Sequence, residues 1–172
     1  AATAVVLEAI SGGLQQSEPQ VRIAALDVLR EVHIPDALPA VRRMVADDAD
    51  QEVRLQAIQL LVDVKDTEIV PALSKLAADN AVGVPLREAA LRAVVAGDAT
   101  SYGQQITQIA MTDDAPANLV AIALDALIHV GDDEAKHAIA KRLIDSRSLL
   151  RARAVEAYAQ VQGDDAAAHI VP

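Results

Sequence analysis

Residues 53–61 read VRLQAIQLL, and the same nine-position frame returns without a gap as VRIAALDVL at 21–29, LREAALRAV at 86–94, LVAIALDAL at 119–127 and LRARAVEAY at 150–158. The five starts are 32, 33, 33 and 31 residues apart. In every copy the fifth position is alanine (Ala25, Ala57, Ala90, Ala123, Ala154) and the sixth a larger aliphatic (Leu26, Ile58, Leu91, Leu124, Val155). A small residue beside a large one at fixed register lets a helix nest on its copy in the next layer. A period of this length marks a repeat array rather than a single globular core.

A second helix is expected in each repeat. Fifteen residues after the sixth-position aliphatic stands another apolar residue, Val41, Leu73, Ile106 or Ile139. Apolar residues at 38, 41 and 45, and at 70, 73 and 76/77, give these helices one buried stripe. Between helices stand IPD at 34–36, KD at 65–66, AGD at 96–98 and GDD at 131–133 and 163–165, where a Gly stop followed by an Asp cap is expected. Pro39 and Pro71 fall in first turns, where the missing N–H has no intrahelical partner. Gly12-Gly13 predicts a helix break or loop.

The fold so predicted is all-α, an α-solenoid of about five helix pairs stacked as a right-handed superhelix. Its units are a partial repeat at 1–16, full repeats at 17–48, 49–80, 81–114 and 115–146, and a partial repeat at 147–172, together one repeat domain. Because both ends fall inside a unit, the chain is expected to be a segment of a longer protein.

Composition agrees. Apolar residues make up 52% of the chain, yet Phe and Trp are absent and only Tyr102 and Tyr158 are aromatic, which suits thin, closely stacked helices. With no cysteine, disulfides, Cys-ligated zinc and thiol nucleophiles are excluded, and the redox compartment is left open. No apolar run reaches membrane-spanning length, so no membrane contact is expected from this segment. The net charge of −10 resides largely in interhelix Asp residues suited to capping, and it argues against nucleic-acid binding, which needs clustered Lys and Arg in excess.

The PQVRIAALDVLREVHIPDALPAVRRM stretch from Pro19 and the QEVRLQAIQLLVDVKDTEIVPALSKL stretch from Gln51 resemble HEAT-like repeats of the phycobilisome-lyase type, and the resemblance extends over nearly the whole chain. It implies stacked helix pairs whose second helices line a concave side, and interlayer pairs of an Asp with an Arg six residues on. Asp48 with Arg54 and Asp145 with Arg151 fit that spacing; Asp114 faces Val120, and Arg22 has Gln16. HEAT-fold hydroxylases carry adjacent His-Glu pairs, which this chain lacks, and HEAT-like DNA glycosylases use a basic, aromatic-bearing face, which it also lacks.

Catalytic chemistry finds little support. His33, His129, His137 and His169 show no metal-ligand spacing, although His129 and His137 flank one turn. No G-x-S-x-G occurs, and no serine is tied by pattern to a His and an Asp. The chain is therefore read as no enzyme, with no cofactor, no metal and no small-molecule substrate. What remains is a surface. Arg43, Lys75, Gln108 and Lys141 stand two residues beyond the aligned second-helix aliphatics, with Arg42 and Arg142 nearby. They predict a mildly basic column along the groove, suited to a protein or peptide partner, with Tyr102, Gln105 and Gln108 of the uncharged third repeat as a contact patch. Lys and Arg for solubility alone are the ordinary alternative. The function expected is a non-catalytic interaction scaffold; the alternative, implied by the lyase resemblance, is an accessory or chaperone-type subunit of an enzyme.

Overall fold

The structure, a computed structural model, describes residues 2–163. They form ten α-helices and no strand: α1 (Ala2–Leu14), α2 (Pro19–Val32), α3 (Leu38–Asp47), α4 (Gln51–Asp63), α5 (Val70–Ala78), α6 (Val84–Asp98), α7 (Gly103–Met111), α8 (Ala117–Val130), α9 (Asp133–Arg142) and α10 (Ser148–Gln162). A 3₁₀ turn, Pro35–Ala37, leads into α3. Each of the five aligned segments lies inside an even-numbered helix, and each second helix falls where the fifteen-residue offset puts it. The chain divides into two compact units, residues 1–72 and 73–172.

In the first unit α1 packs on α2, α2 on α4, and α3 on α4. In the second, α6 packs on α8 and α8 on α10, while α7 and α9 each pack on the first helix of the following layer and on one another. Two rules thus hold inside each unit: first helix on first helix, and second helix on the next first helix. The five fifth-position alanines are all buried, and so are Leu26, Ile58, Leu91 and Leu124 behind them; only Val155 is exposed. Val41, Leu73, Ile106 and Ile139 are buried as well. Alanine at the crossing lets backbones approach closely, so the core is many thin aliphatic contacts rather than a few rings.

Caps follow the Asp and Pro pattern. Asp50 accepts hydrogen bonds from the Glu52 and Val53 N–H groups (2.9 and 3.1 Å), and Asp132 from that of Ala135 (2.7 Å). Pro39 and Pro71 are the second residues of α3 and α5, inside the first turn. Gly131 ends α8 in the left-handed conformation at φ 66°. His33 and Lys65 take the same conformation at φ 50° and 56°, a role the sequence did not mark because neither is glycine.

Three local expectations are corrected. Ala96-Gly97-Asp98 is not a stop: α6 runs through Asp98, whose carboxylate takes the Ser101 N–H at 3.0 Å in the following turn. Gly12-Gly13 is not a break either, since both lie within α1. A Cβ on Gly13 would stand 3.0 Å from that of Ala25, so the glycine serves the close crossing of α1 over α2. The third correction concerns the Asp and Arg pairs and belongs to the site. The GDD at 163–165 extends, after Gly163, outside the described residues, as does His169.

Candidate functional site

The second position of the aligned frame is Arg22, Arg54, Arg87, Val120 or Arg151. Each arginine stands in the first turn of its helix, beside the end of the preceding second helix, whose last carbonyls have no intrahelical donor. Arg54 Nε donates to the Val45 carbonyl (2.8 Å), and Arg87 Nε to that of Ala77 (3.0 Å). Arg22 Nη1 reaches the carbonyls of Gln16 and Ser17, and Arg151 Nη1 those of Asp145 and Ser146, all at 2.8 Å. The six-residue Asp-to-Arg spacing is thus a real contact of another kind at 145 and 151. The guanidinium takes the backbone carbonyl of Asp145, not its carboxylate.

The carboxylates have other partners. Asp48 receives Arg22 from the layer before it (2.9 and 2.7 Å), and its carboxylate also takes the Asp50 N–H. Asp145 receives Arg142 Nη1 (2.7 Å), Arg147 Nε and Nη2 (3.0 Å each) and the Arg147 backbone N–H (2.9 Å). The Arg147 hydrogen bonds, assisted by Arg142, hold the nearly buried Asp145 carboxyl well below the usual carboxylate range. The predicted Asp48–Arg54 and Asp145–Arg151 carboxylate pairs are therefore not formed as such, because helix-end carbonyls claim those two arginines first.

Where the second-position arginine is lost, at buried Val120, the carbonyls at the end of α7 are met from a different helix. Arg142 of α9 donates Nε to the Ala110 carbonyl (2.8 Å) and Nη2 to that of Thr112 (2.9 Å), and Lys141 reaches the Met111 carbonyl at 3.1 Å. Ala110 precedes Val120 by the same ten residues that separate Ala77 from Arg87. The substitute donors restore the satisfaction the repeat consensus would have supplied.

Arg142 and Arg42 accordingly leave the predicted recognition column. Arg142 is 3% exposed and tied at every nitrogen. Arg42 is held by Asp66, at 2.8 Å from Nε and 2.6 Å from Nη2, and by Glu68. Lys141 is half-exposed, with its ammonium on Asp113 at 2.8 Å, and that bond holds the Asp113 carboxyl below its ordinary value. The residues left accessible are Arg43 on α3, Lys75 on α5, and Gln105 and Gln108 on α7; Tyr102, at the N-terminus of α7, is half-buried.

In the first unit a shallow groove of about 500 Å³ runs between α1 and α3. Buried Leu14, Ala37 and Met44 form its floor, and Ser11, Gln15 and Arg43 stand along it. Asp36, Asp47 and Asp48 also line it, so the expected mildly basic character is reversed around Arg43. In the second unit Gln108 borders a depression of about 100 Å³ with Arg87 and Thr112, and Lys141 and Arg142 border one of about 300 Å³ with Ile144 and Arg147. Among the described residues no helix is long and apolar enough to cross a membrane, and no three His, Asp or Glu side chains are grouped to hold a metal ion.

No curated protein matches the chain. Its fold is similar to that in the complex of CpcE and CpcF of phycocyanin lyase from Nostoc sp. PCC7120, with a TM-score of 0.69 at 20% identity over 91% of this chain. The match spans 65% of the length of that neighbour's chain, and at this identity it speaks for the fold. The family model described as HEAT repeats matches residues 7–94, just over half of the sequence. With the repeat frame, the first-on-first helix packing and the second-position arginines in view, the chain belongs to the HEAT-repeat family.

Proposed function

We propose that the chain is a non-catalytic protein-interaction module that receives a polypeptide on the faces of its second helices, above all in the groove between α1 and α3. The observation that supports this reading is the make-up of that groove. An apolar floor of Leu14, Ala37 and Met44 lies under a polar rim of Ser11, Gln15, Asp36 and Arg43, the arrangement of a desolvated centre within a hydrated edge found in protein interfaces. The arginines and aspartates elsewhere in the stack are engaged in satisfying helix ends, which is structural work. Partners that are proteins also accord with the similarity to subunits of a two-protein complex.

The test is a peptide-display selection on the purified chain, followed by titration of the selected peptides against Ala40→Trp and Arg43→Glu. Ala40 lines the groove, and a Trp there would fill it. Binding should fall at least about tenfold, roughly 1.4 kcal/mol, in both variants while their melting temperatures stay unchanged. Selected peptides indifferent to both substitutions would remove the groove from the proposal. A second reading, that the chain is an accessory subunit of an enzyme, rests on the fold likeness to the lyase complex. It predicts a change in the absorbance of a bilin on mixing, which the scaffold reading does not.

A further inference from the structure

In the interior of each unit one first helix packs on the next, α2 on α4, α6 on α8 and α8 on α10. The face turned toward the preceding layer carries the first and eighth positions of the aligned frame. At the first position Val53, Leu86, Leu119 and Leu150 are at most 2% exposed, and at the eighth Leu60, Ala93, Ala126 and Ala157 are at most 6% exposed. Their counterparts on α2, Val21 and Val28, are 42% and 43% exposed. Beside Val21, exposed Val5 of α1 with Ala9, Gly12 and Gly13 extends the surface into an open, mainly apolar groove of about 520 Å³. The opposite face of a first helix carries the sixth position. There Leu26, Ile58, Leu91 and Leu124 are at most 2% exposed, whereas Val155 of α10 is 39% exposed.

The outer faces of α2 and α10 are thus the two unmated halves of one interface whose mated form recurs through the molecule. The sequence frame says which register each half uses. We infer that the occupant of the α2 face is a second copy of this chain, whose α10 lies across α2 and the end of α1 as α2 lies across α4. Such a contact uses different surfaces on the two copies, so it is head-to-tail and does not close on itself as a two-fold dimer would. The apolar residues exposed at both faces are those that the repeat buries wherever a neighbouring layer is present, which sets them apart from scattered surface aliphatics. This contact is separate from the groove between α1 and α3, and neither proposal depends on the other.

Sedimentation velocity over a concentration series tests it. The weight-average mass of the intact chain should rise with concentration past that of a dimer. Val21→Asp and Val155→Asp should each remain monomeric, with circular dichroism and melting temperature preserved because both sites are already exposed. An equimolar mixture of the two should form a dimer and nothing larger, since only one competent face of each kind survives. Concentration-independent monomer for the intact chain would overturn the inference, as would association that persists unchanged in Val21→Asp. A chain ending at Gly163 that associates when the intact chain does not would also overturn it, assigning the α10 face to residues 164–172 of the same molecule.

Discussion

Replacing Arg142 with alanine tests whether the substitute donors at the end of α7 carry the weight assigned to them. The side chain makes three short hydrogen bonds, to the carbonyls of Ala110 and Thr112 and to the Asp145 carboxylate. Arg147 remains on Asp145, and Lys141 remains on Met111 and Asp113, so the groups left bare are two carbonyls at a buried helix end. A hydrogen bond from a charged donor contributes about 1.5–3 kcal/mol net, so two give about 3–5 kcal/mol. That agrees with the loss found when one partner is taken from a buried charged network, about 3–5 kcal/mol. In a domain of this size each kcal/mol shifts the transition by about 2–4 °C, and the second unit should melt roughly 10 °C lower. Thermal melts by calorimetry and circular dichroism should show that drop. Arg43→Ala, at an exposed site on a second helix, should stay within about 0.5 kcal/mol of wild type. Adding Val120→Arg to Arg142→Ala restores the consensus donor and should recover about half the loss. An Arg142→Ala protein no less stable than Arg43→Ala would refute the account.

Two further expectations follow from the same structure. Because the Asp145 carboxyl is depressed in the folded state, its contribution is present above the ordinary carboxylate pKa and is lost as pH falls below about 4 toward the folded value; Asp145→Asn should therefore lower stability at pH 7 and flatten the acid limb of a urea-midpoint profile. Gly103 opens α7 against Val130, and a Cβ there would lie 2.8 Å from Val130 Cγ1. Gly103→Ala should cost about 1–3 kcal/mol by overpacking, with part of that recovered in the Gly103→Ala, Val130→Ala double variant, measured by denaturant titration.

The fold was legible because the information needed for it is periodic. Ala25 and its four counterparts report on every layer at once, and a fixed offset to Val41 or Ile139 places the second helix without reference to propensity. The arginine contacts were legible only halfway. The spacing from Asp145 to Arg151 identified two residues that meet, but spacing does not distinguish a carboxylate from the backbone carbonyl of the same residue. The preference comes from the bare carbonyls at a helix end, which exist only once the helix does. Arg142 and Arg42 were misplaced for a related reason. A basic residue on a second helix reads as solvated unless an acceptor in another layer is known, and Ala110 lies 32 residues away and Asp66 24. Gly13 was read as a break because the pair Gly12-Gly13 suggests one, while the demand for a close crossing at Ala25 has no local signature.

Replacement of the second-position arginine by Val120 has an outcome for the modularity of the array. In most layers the donor that finishes a second helix is encoded in the helix immediately following, so a repeat can be copied, deleted or moved with its stabilising residue attached. The segment from 81 to 114 is different: its α7 depends on a side chain encoded in the unit after it. A chimera that grafts this segment ahead of a foreign repeat would inherit either a steric vacancy or bare carbonyls at the junction, unless position 120 were first returned to arginine. Evolution by duplication is thereby steered here, since the two neighbouring units must travel together.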